Sequence, residues 1–208
     1  MRSLVPSPVP SLRKLAASAA LAAAVVAASP VLAHDPAEPE HGGDAACSAT
    51  CGELCQQALD AARQATAPYV REKRALDEGF VPDAFCIASP LGTMGFHYPN
   101  TTRMDTSIDA TKPDILIYVQ RPNGTRKLVA LEYFTPVLSH GAPWRGGANE
   151  PPPVIDNPAP VLFGQRFDGP MPGHNPSMPW HYDLHVWLWE HNPAGTFAQF
   201  NPKLSCPK

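Results

Sequence analysis

The amino-acid sequence lacks the short motifs that identify several common enzyme classes. It contains no phosphate-binding P-loop, no dinucleotide-binding glycine fingerprint, no G-x-S-x-G nucleophile elbow and no H-E-x-x-H zinc helix. A serine placed for Ser/His/Asp catalysis is not recognisable either. These absences count against the enzyme classes that carry these motifs. No motif in the sequence indicates a particular reaction.

Positive charge is also scarce. The 208 residues include 16 Lys and Arg against 19 Asp and Glu, a formal net charge of −3 with neutral histidine, and the basic residues form no cluster. Proteins that bind nucleic acid or an anionic membrane usually carry a basic patch. We therefore expect neither as a partner, which leaves a small molecule or self-association.

Long apolar runs are limited to one near the start of the chain. Three basic residues (Arg2, Arg13 and Lys14) precede an apolar run at 16–28, and a small-residue cleavage site ends at Ala33. This order is typical of a signal peptide, and the run is shorter than the about 20 residues of a membrane span. The sequence predicts a signal peptide at 1–33 and a secreted or periplasmic mature protein.

Cysteine is limited to five residues. In an exported chain this number predicts at least one disulfide. We expect Cys86 to pair with Cys206, because the C-terminal tail has no other anchor, and the loop would contribute about 4 to 5 kcal/mol. On a helix Cys47, Cys51 and Cys55 would form one stripe, which could hold a soft metal ion or contain one disulfide and a spare thiol; the oxidising compartment favours the disulfide.

The mature chain divides into a leader and one domain. Residues 34–65 are predicted to be a flexible leader followed by a cysteine-containing helical segment, and residues 66–208 to be a single domain. Helix propensity and the proline in its first turn predict helices at 52–66 and 68–78.

Short extended segments follow the helices. Runs at 114–120 and 127–134 flank an Asn-Gly pair at 123–124, which is a strong hairpin signal. Residues 92–99 are interpreted as a glycine-rich turn, and 136–160 as a long proline-rich connection. We predict an α+β fold, with N-terminal helices packed on a small, mainly antiparallel sheet and long Pro-rich loops on one side.

The stretch PWHYDLHVWLWEHN at 179–192 alternates polar and apolar residues, so we interpret it as the central strand. Its polar face carries His181, Asp183 and His185. Residues two apart on a strand are about 6.6 Å apart and can converge on one ion, whereas residues four apart cannot. The predicted ligands are two of these three residues together with His97 and Glu132. Such a set suits Zn, Fe, Mn or Cu, and the remaining histidine would orient the ligands or act as a general base.

A purely structural polar cluster is the alternative to a metal site. Asp183 could pair with a histidine, and Glu132 with Tyr98 or Tyr182, because buried polar groups need partners whether or not a metal is present.

Two further copper sites are weighed against simpler interpretations. His34 would be the new N-terminus and could chelate copper through its amine and imidazole, or simply begin a disordered tail. His174, Met171 and Met178 could bind Cu(I), although loop residues with methionine as a gap-filler are the favoured interpretation.

The sequence therefore leads to two hypotheses about function. The first is a secreted metal-binding protein, with a metalloenzyme as its more specific form. The second is a non-catalytic binding or assembly module, whose aromatic surface would contain Trp144, Trp180, Trp187 and Trp189 beside the Pro-rich loop.

Several segments resemble the recurring blocks of a family of uncharacterised secreted bacterial proteins. The blocks are MGFHY at 94–98, LIY at 116–118, LEY at 131–133, FGQ at 163–165, HYDLHVWLW at 181–189, NPAGTF at 192–197, and Asn201-Pro202 with Ser205-Cys206. The resemblance covers about 66–208 and implies no activity, since none is established for that family. His34 and the three early cysteines lie outside it.

Overall fold

The computed structural model describes residues 52–174 and 177–207. The signal peptide, His34, Cys47 and Cys51 lie outside the described residues. Two α-helices and one 3₁₀ helix come first: α1 (Gly52–Thr66), the 3₁₀ helix (Ala67–Val70) and α2 (Glu72–Asp77). The strands follow as β1 (Cys86–Ser89), β2 (Gly92–Pro99), β3 (Ile115–Gln120), β4 (Arg126–Pro136), β5 (Leu138–Ser139), β6 (Ala142–Pro143), β7 (Val161–Leu162), β8 (Gln165–Arg166), β9 (Asp168–Met171) and β10 (His181–Val186).

Six strands form the main sheet in the order β1-β2-β3-β4-β10-β9, and every neighbouring pair is antiparallel. The predicted α+β class is confirmed. The hairpin is confirmed as well, because β3 and β4 pair across the turn that contains Gly124 at φ 82°. The strand predicted within 179–192 extends only over β10, and β10 lies second from the edge instead of at the centre.

The interpretation of residues 92–99 as a turn is wrong, since they form the eight-residue strand β2. Gly95 has a φ of 123°, and a Cβ there would lie 2.6 Å from the Tyr118 carbonyl oxygen on β3. The absence of a side chain at Gly95 therefore allows β2 and β3 to approach closely at this position.

The two faces of the sheet differ in character. One face joins the helices in a hydrophobic core, whose buried members include Leu59, Tyr69, Tyr98, Leu116, Leu131, Tyr133, Leu184 and Val186. The Tyr118 hydroxyl donates to the Tyr69 carbonyl oxygen at 2.6 Å, and the Trp189 indole N–H donates to the Thr66 hydroxyl at 3.2 Å. Because strand side chains alternate, the residues between these apolar ones point to the opposite face, where the candidate ligands lie.

Two connections hold the ends of the domain. The predicted disulfide between Cys86 and Cys206 is confirmed and joins residues 120 apart in the sequence. Residues 136–160 contain the short β5–β6 ladder, and backbone hydrogen bonds link Trp144 to Val137 and to Trp180.

Among the described residues, no helix has the length and apolar character needed to cross a membrane.

Candidate metal centre

Three strands bring His97, Glu132 and His185 together on the face opposite the helices. His185 on β10 lies directly opposite Glu132 on β4. β3 separates β4 from β2, and its Ile117 pairs with His97. The imidazole of His97 therefore approaches Glu132 across one intervening strand, so the site depends on sheet pairing and not on any local sequence motif.

Their ligand atoms converge at short distances. Glu132 Oε2 lies 3.2 Å from His97 Nε2 and 3.8 Å from His185 Nε2. One ligand atom from each of the three residues lies within 4.8 Å of the others. The residues are 6 %, 1 % and 1 % exposed for His97, Glu132 and His185. Two ligands of one ion at about 2.1 Å lie roughly 3.0 to 3.6 Å apart, so the spacing is close to that of a coordination shell.

No hydrogen bond satisfies these three ligand atoms in the described structure. His97 Nε2, Glu132 Oε2 and His185 Nε2 are buried and have no hydrogen-bond partner. Buried polar atoms nearly always have one, and each exception needs an explanation. A cation bound among the three would satisfy all of them at once.

The second nitrogen of His97 supports this arrangement. The ring of His97 is hydrogen-bonded to the Gly95 backbone, which leaves Nε2 as its free nitrogen. His185 differs, because its Nδ1 lies 3.9 Å from Asp183 Oδ1, too far for a hydrogen bond, and has no hydrogen-bond partner. A carboxylate or carbonyl behind the second nitrogen commonly fixes the tautomer of a metal-binding histidine.

Burial dominates the protonation of the site in the metal-free protein. It lowers the pKa of His97 to about 3, with the charges of His185 and His174 adding to the effect. Burial also lowers the pKa of His185, although the charge of Asp183 opposes it. Both imidazoles are thus neutral, which is the form that binds metals.

The pKa of Glu132 is raised well above its ordinary value, first by burial and then by the negative charges of Asp183, Asp114 and Asp83. Burial would also raise the pKa of Asp183, but His181 and His185 outweigh it and lower that pKa. A bound divalent cation would favour the charged form of Glu132, so metal binding would release its proton.

The sequence predicts two residues of β10 in the ligand set, whereas in the described structure His185 is the residue of β10 that lies with His97 and Glu132. The register is the reason, because Asp183 lies opposite Phe134 instead of Glu132. His181, at 0 % exposed, stacks on the Phe134 ring at 4.9 Å between centroids. His181 and Asp183 therefore adjoin the triad from the side of Phe134.

Three residues near the site were not predicted to belong there. Asp83 is exposed, and its backbone N–H donates to the His97 carbonyl oxygen at 2.8 Å. Asp114 is buried, and its Oδ2 accepts the Phe134 backbone N–H at 2.9 Å. His174 is exposed, and its ring meets that of His181 edge to face at 5.3 Å. No periodicity marks these loop and strand-end positions. The sequence singled out His174 only as a copper ligand with Met171 and Met178, and offered no signal for Asp83 or Asp114.

The pairs proposed for a structural polar cluster do not form around Glu132. The Tyr98 hydroxyl donates to Glu72 at 2.6 Å, and the Tyr182 hydroxyl donates to the Asn157 carbonyl oxygen at 3.2 Å. The Glu132 carboxylate instead lies within 4 Å of the imidazole nitrogens of His97 and His185.

The tryptophans are largely used within the protein. Trp180 and Trp187 are buried, and their indole N–H groups donate to carbonyl oxygens of Gly146 and Ala198. Trp189 is half-buried beneath the guanidinium of Arg63. These contacts do not favour an exposed aromatic surface.

No protein-family model, no curated protein and no solved structure matches the chain. The site is therefore interpreted from its geometry alone, and the resemblance to a secreted bacterial family stays a prediction.

Proposed function

We propose that this protein binds a divalent transition metal ion through His97 Nε2, Glu132 Oε2 and His185 Nε2. The observation that carries the proposal is the convergence of three buried ligand atoms without hydrogen-bond partners. Two neutral imidazoles and one carboxylate suit Zn, Fe, Mn and Cu.

The ligand number bears on whether the protein is a metalloenzyme. Structural zinc sites use four protein ligands, whereas catalytic sites use three and leave a position for water or substrate. A bound ion would supply Lewis acidity or an activated water. The chain's own residues would hold that ion, orient His185 through Asp183 and keep bulk water out by burial. We propose the metalloenzyme as the more specific form of the function on this basis.

Export fits the same proposal. The signal-like segment at 1–33 and the Cys86–Cys206 disulfide both support a secreted or periplasmic protein, because disulfides persist in oxidising compartments. The helix-to-sheet hydrogen bonds and the tied-down 136–160 connection likewise support helices packed on one face with the Pro-rich loop at the side.

The test is elemental analysis of the untagged mature protein beside His97→Ala, with His191→Ala as the matched control because His191 is an exposed histidine. We expect at least one equivalent of metal in the parent and the control, and one equivalent less in His97→Ala with an unchanged circular dichroism spectrum. A folded parent that takes up none of the four metals in equilibrium dialysis would overturn the proposal.

A further inference from the structure

A second set of buried ligand atoms lies beside the first. His181 is fully buried, and its Nδ1 lies 3.1 Å from the Pro179 carbonyl oxygen. That carbonyl can only accept a hydrogen bond, so Nδ1 carries the proton and Nε2 presents a lone pair. His181 Nε2 has no hydrogen-bond partner.

The atom that this lone pair faces is itself an acceptor. Asp183 Oδ2 lies 3.7 Å from His181 Nε2, and Asp183 is 1 % exposed. A distance of 3.7 Å is too long for a hydrogen bond. A cation between His181 Nε2 and Asp183 Oδ2 would bind both atoms, and the 3.7 Å that separates them leaves room for an ion.

His174 closes this pair on the solvent side. Its ring is edge-on to that of His181, with 5.3 Å between the ring centroids. Because His174 is exposed, its side chain can rotate towards an ion held by His181 and Asp183 and become the third ligand.

We propose that His181 Nε2, Asp183 Oδ2 and His174 form a second metal site, suited to a divalent ion that accepts imidazole and carboxylate ligands, such as Zn²⁺. This inference rests on the proposed function, since it makes Asp183 the link between two sites. One carboxylate oxygen of Asp183 faces His185 of the first centre, and the other faces His181 of the second.

The experiment is a Zn²⁺ titration of the chelator-stripped protein, followed by calorimetry and checked by elemental analysis after dialysis. The variants are His181→Ala, His174→Ala and His97→Ala, with His191→Ala as the control. His174→Ala guards against a folding defect in His181→Ala, because His174 is exposed whereas His181 is packed against Phe134.

We expect two equivalents of Zn²⁺ in the parent and the control. His181→Ala should bind one equivalent, and His174→Ala should weaken the second equivalent by at least about tenfold, the lower end of what loss of a supporting group costs. His97→Ala should lose the other equivalent and keep the one at His181.

Three other outcomes would overturn one or both of the proposals. One equivalent that His97→Ala loses and His181→Ala keeps would overturn the second site and leave the proposed function intact. One equivalent that His181→Ala loses and His97→Ala keeps would overturn the proposed function and leave the His181 site. No bound Zn²⁺ in the folded parent would overturn both.

Discussion

Glu132 on β4 and His185 on β10 lie directly opposite each other, with Glu132 Oε2 3.8 Å from His185 Nε2 and both side chains 1 % exposed. Directly opposed residues of antiparallel strands have the closest Cβ atoms in a sheet. The ladder between β4 and β10 thus fixes one edge of the ligand triangle before any ion binds. His97 then completes the triangle from β2.

Glu132→Gln should abolish the stabilisation that metal bound by His97, Glu132 and His185 provides. The amide keeps the shape of the carboxyl group but removes the anionic ligand, so the variant should fold and bind metal poorly. Zinc at about 100 times its Kd adds about 2.7 kcal/mol to the free energy of unfolding of a protein that binds it only when folded.

Thermal unfolding with and without Zn²⁺ measures this difference. The parent should show a metal-dependent rise in Tm, as should Glu53→Gln, which changes an exposed glutamate of α1 in the same way. An equal rise in Glu132→Gln would remove Glu132 from the ligand set.

The sequence predicted some elements well because their signals are local. The Asn-Gly hairpin and the alternation in β10 depend only on residues that are close in the sequence, and the structure contains both. The sequence named all three residues that converge, His97, Glu132 and His185. It could not select among the polar residues of β10, because that selection depends on register, which places Glu132 opposite His185 and Phe134 opposite Asp183. His174 could not have been placed at the site from the sequence at all, since the path of a loop carries no period.

Gly95→Ala should destabilise the fold and weaken the proposed metal site. The alanine Cβ would meet the Tyr118 carbonyl oxygen at 2.6 Å, and its φ of 123° is unfavourable for a side chain. Backbone strain of this kind costs on the order of 1 to 3 kcal/mol, and the forced separation of β2 from β3 adds to it. The Gly95 backbone also holds the His97 ring, so metal affinity should fall too.

Urea denaturation and Zn²⁺ titration together test the Gly95→Ala prediction. Gly124→Ala is the matched control, because Gly124 has a φ of 82° but nothing lies within 4 Å of a Cβ there. The control should lose stability through strain alone and retain its metal affinity. Equal loss of stability in the two variants would contradict the close approach at Gly95.

Asp114→Asn should change how stability depends on pH in the metal-free protein. Burial raises the pKa of Asp114 to about 7, against the opposing effect of the Phe134 backbone N–H. The unfolded value is about 3.9, so the folded state binds the proton more tightly. The resulting stabilisation is fully present below about pH 4 and is lost as the pH rises to about 7.

Asparagine removes this titration while its side-chain oxygen can still accept the Phe134 N–H. The free energy of unfolding of the variant, relative to the parent, should therefore increase between about pH 4 and pH 7, by at most about 1.4 kcal/mol per pH unit, and level off above. Urea denaturation across this range, with a chelator present, measures the difference. A difference that is constant with pH would show that Asp114 does not titrate in this window.

Removing the disulfide with Cys86→Ser and Cys206→Ser should destabilise the domain. The bond joins residues 120 apart, so its loss frees a long loop in the unfolded chain, worth about 4 to 5 kcal/mol in the loop-entropy account. The bond ties the C-terminal segment to β1, which pairs with the β2 strand of His97.

The double variant should therefore unfold at a lower urea concentration. Where it is still folded, it should bind Zn²⁺ with little change, because no ligand is altered. Reduction of the parent with dithiothreitol should reproduce the shift, and a parent whose urea midpoint is insensitive to reduction would show that the sheet holds the tail without the bond.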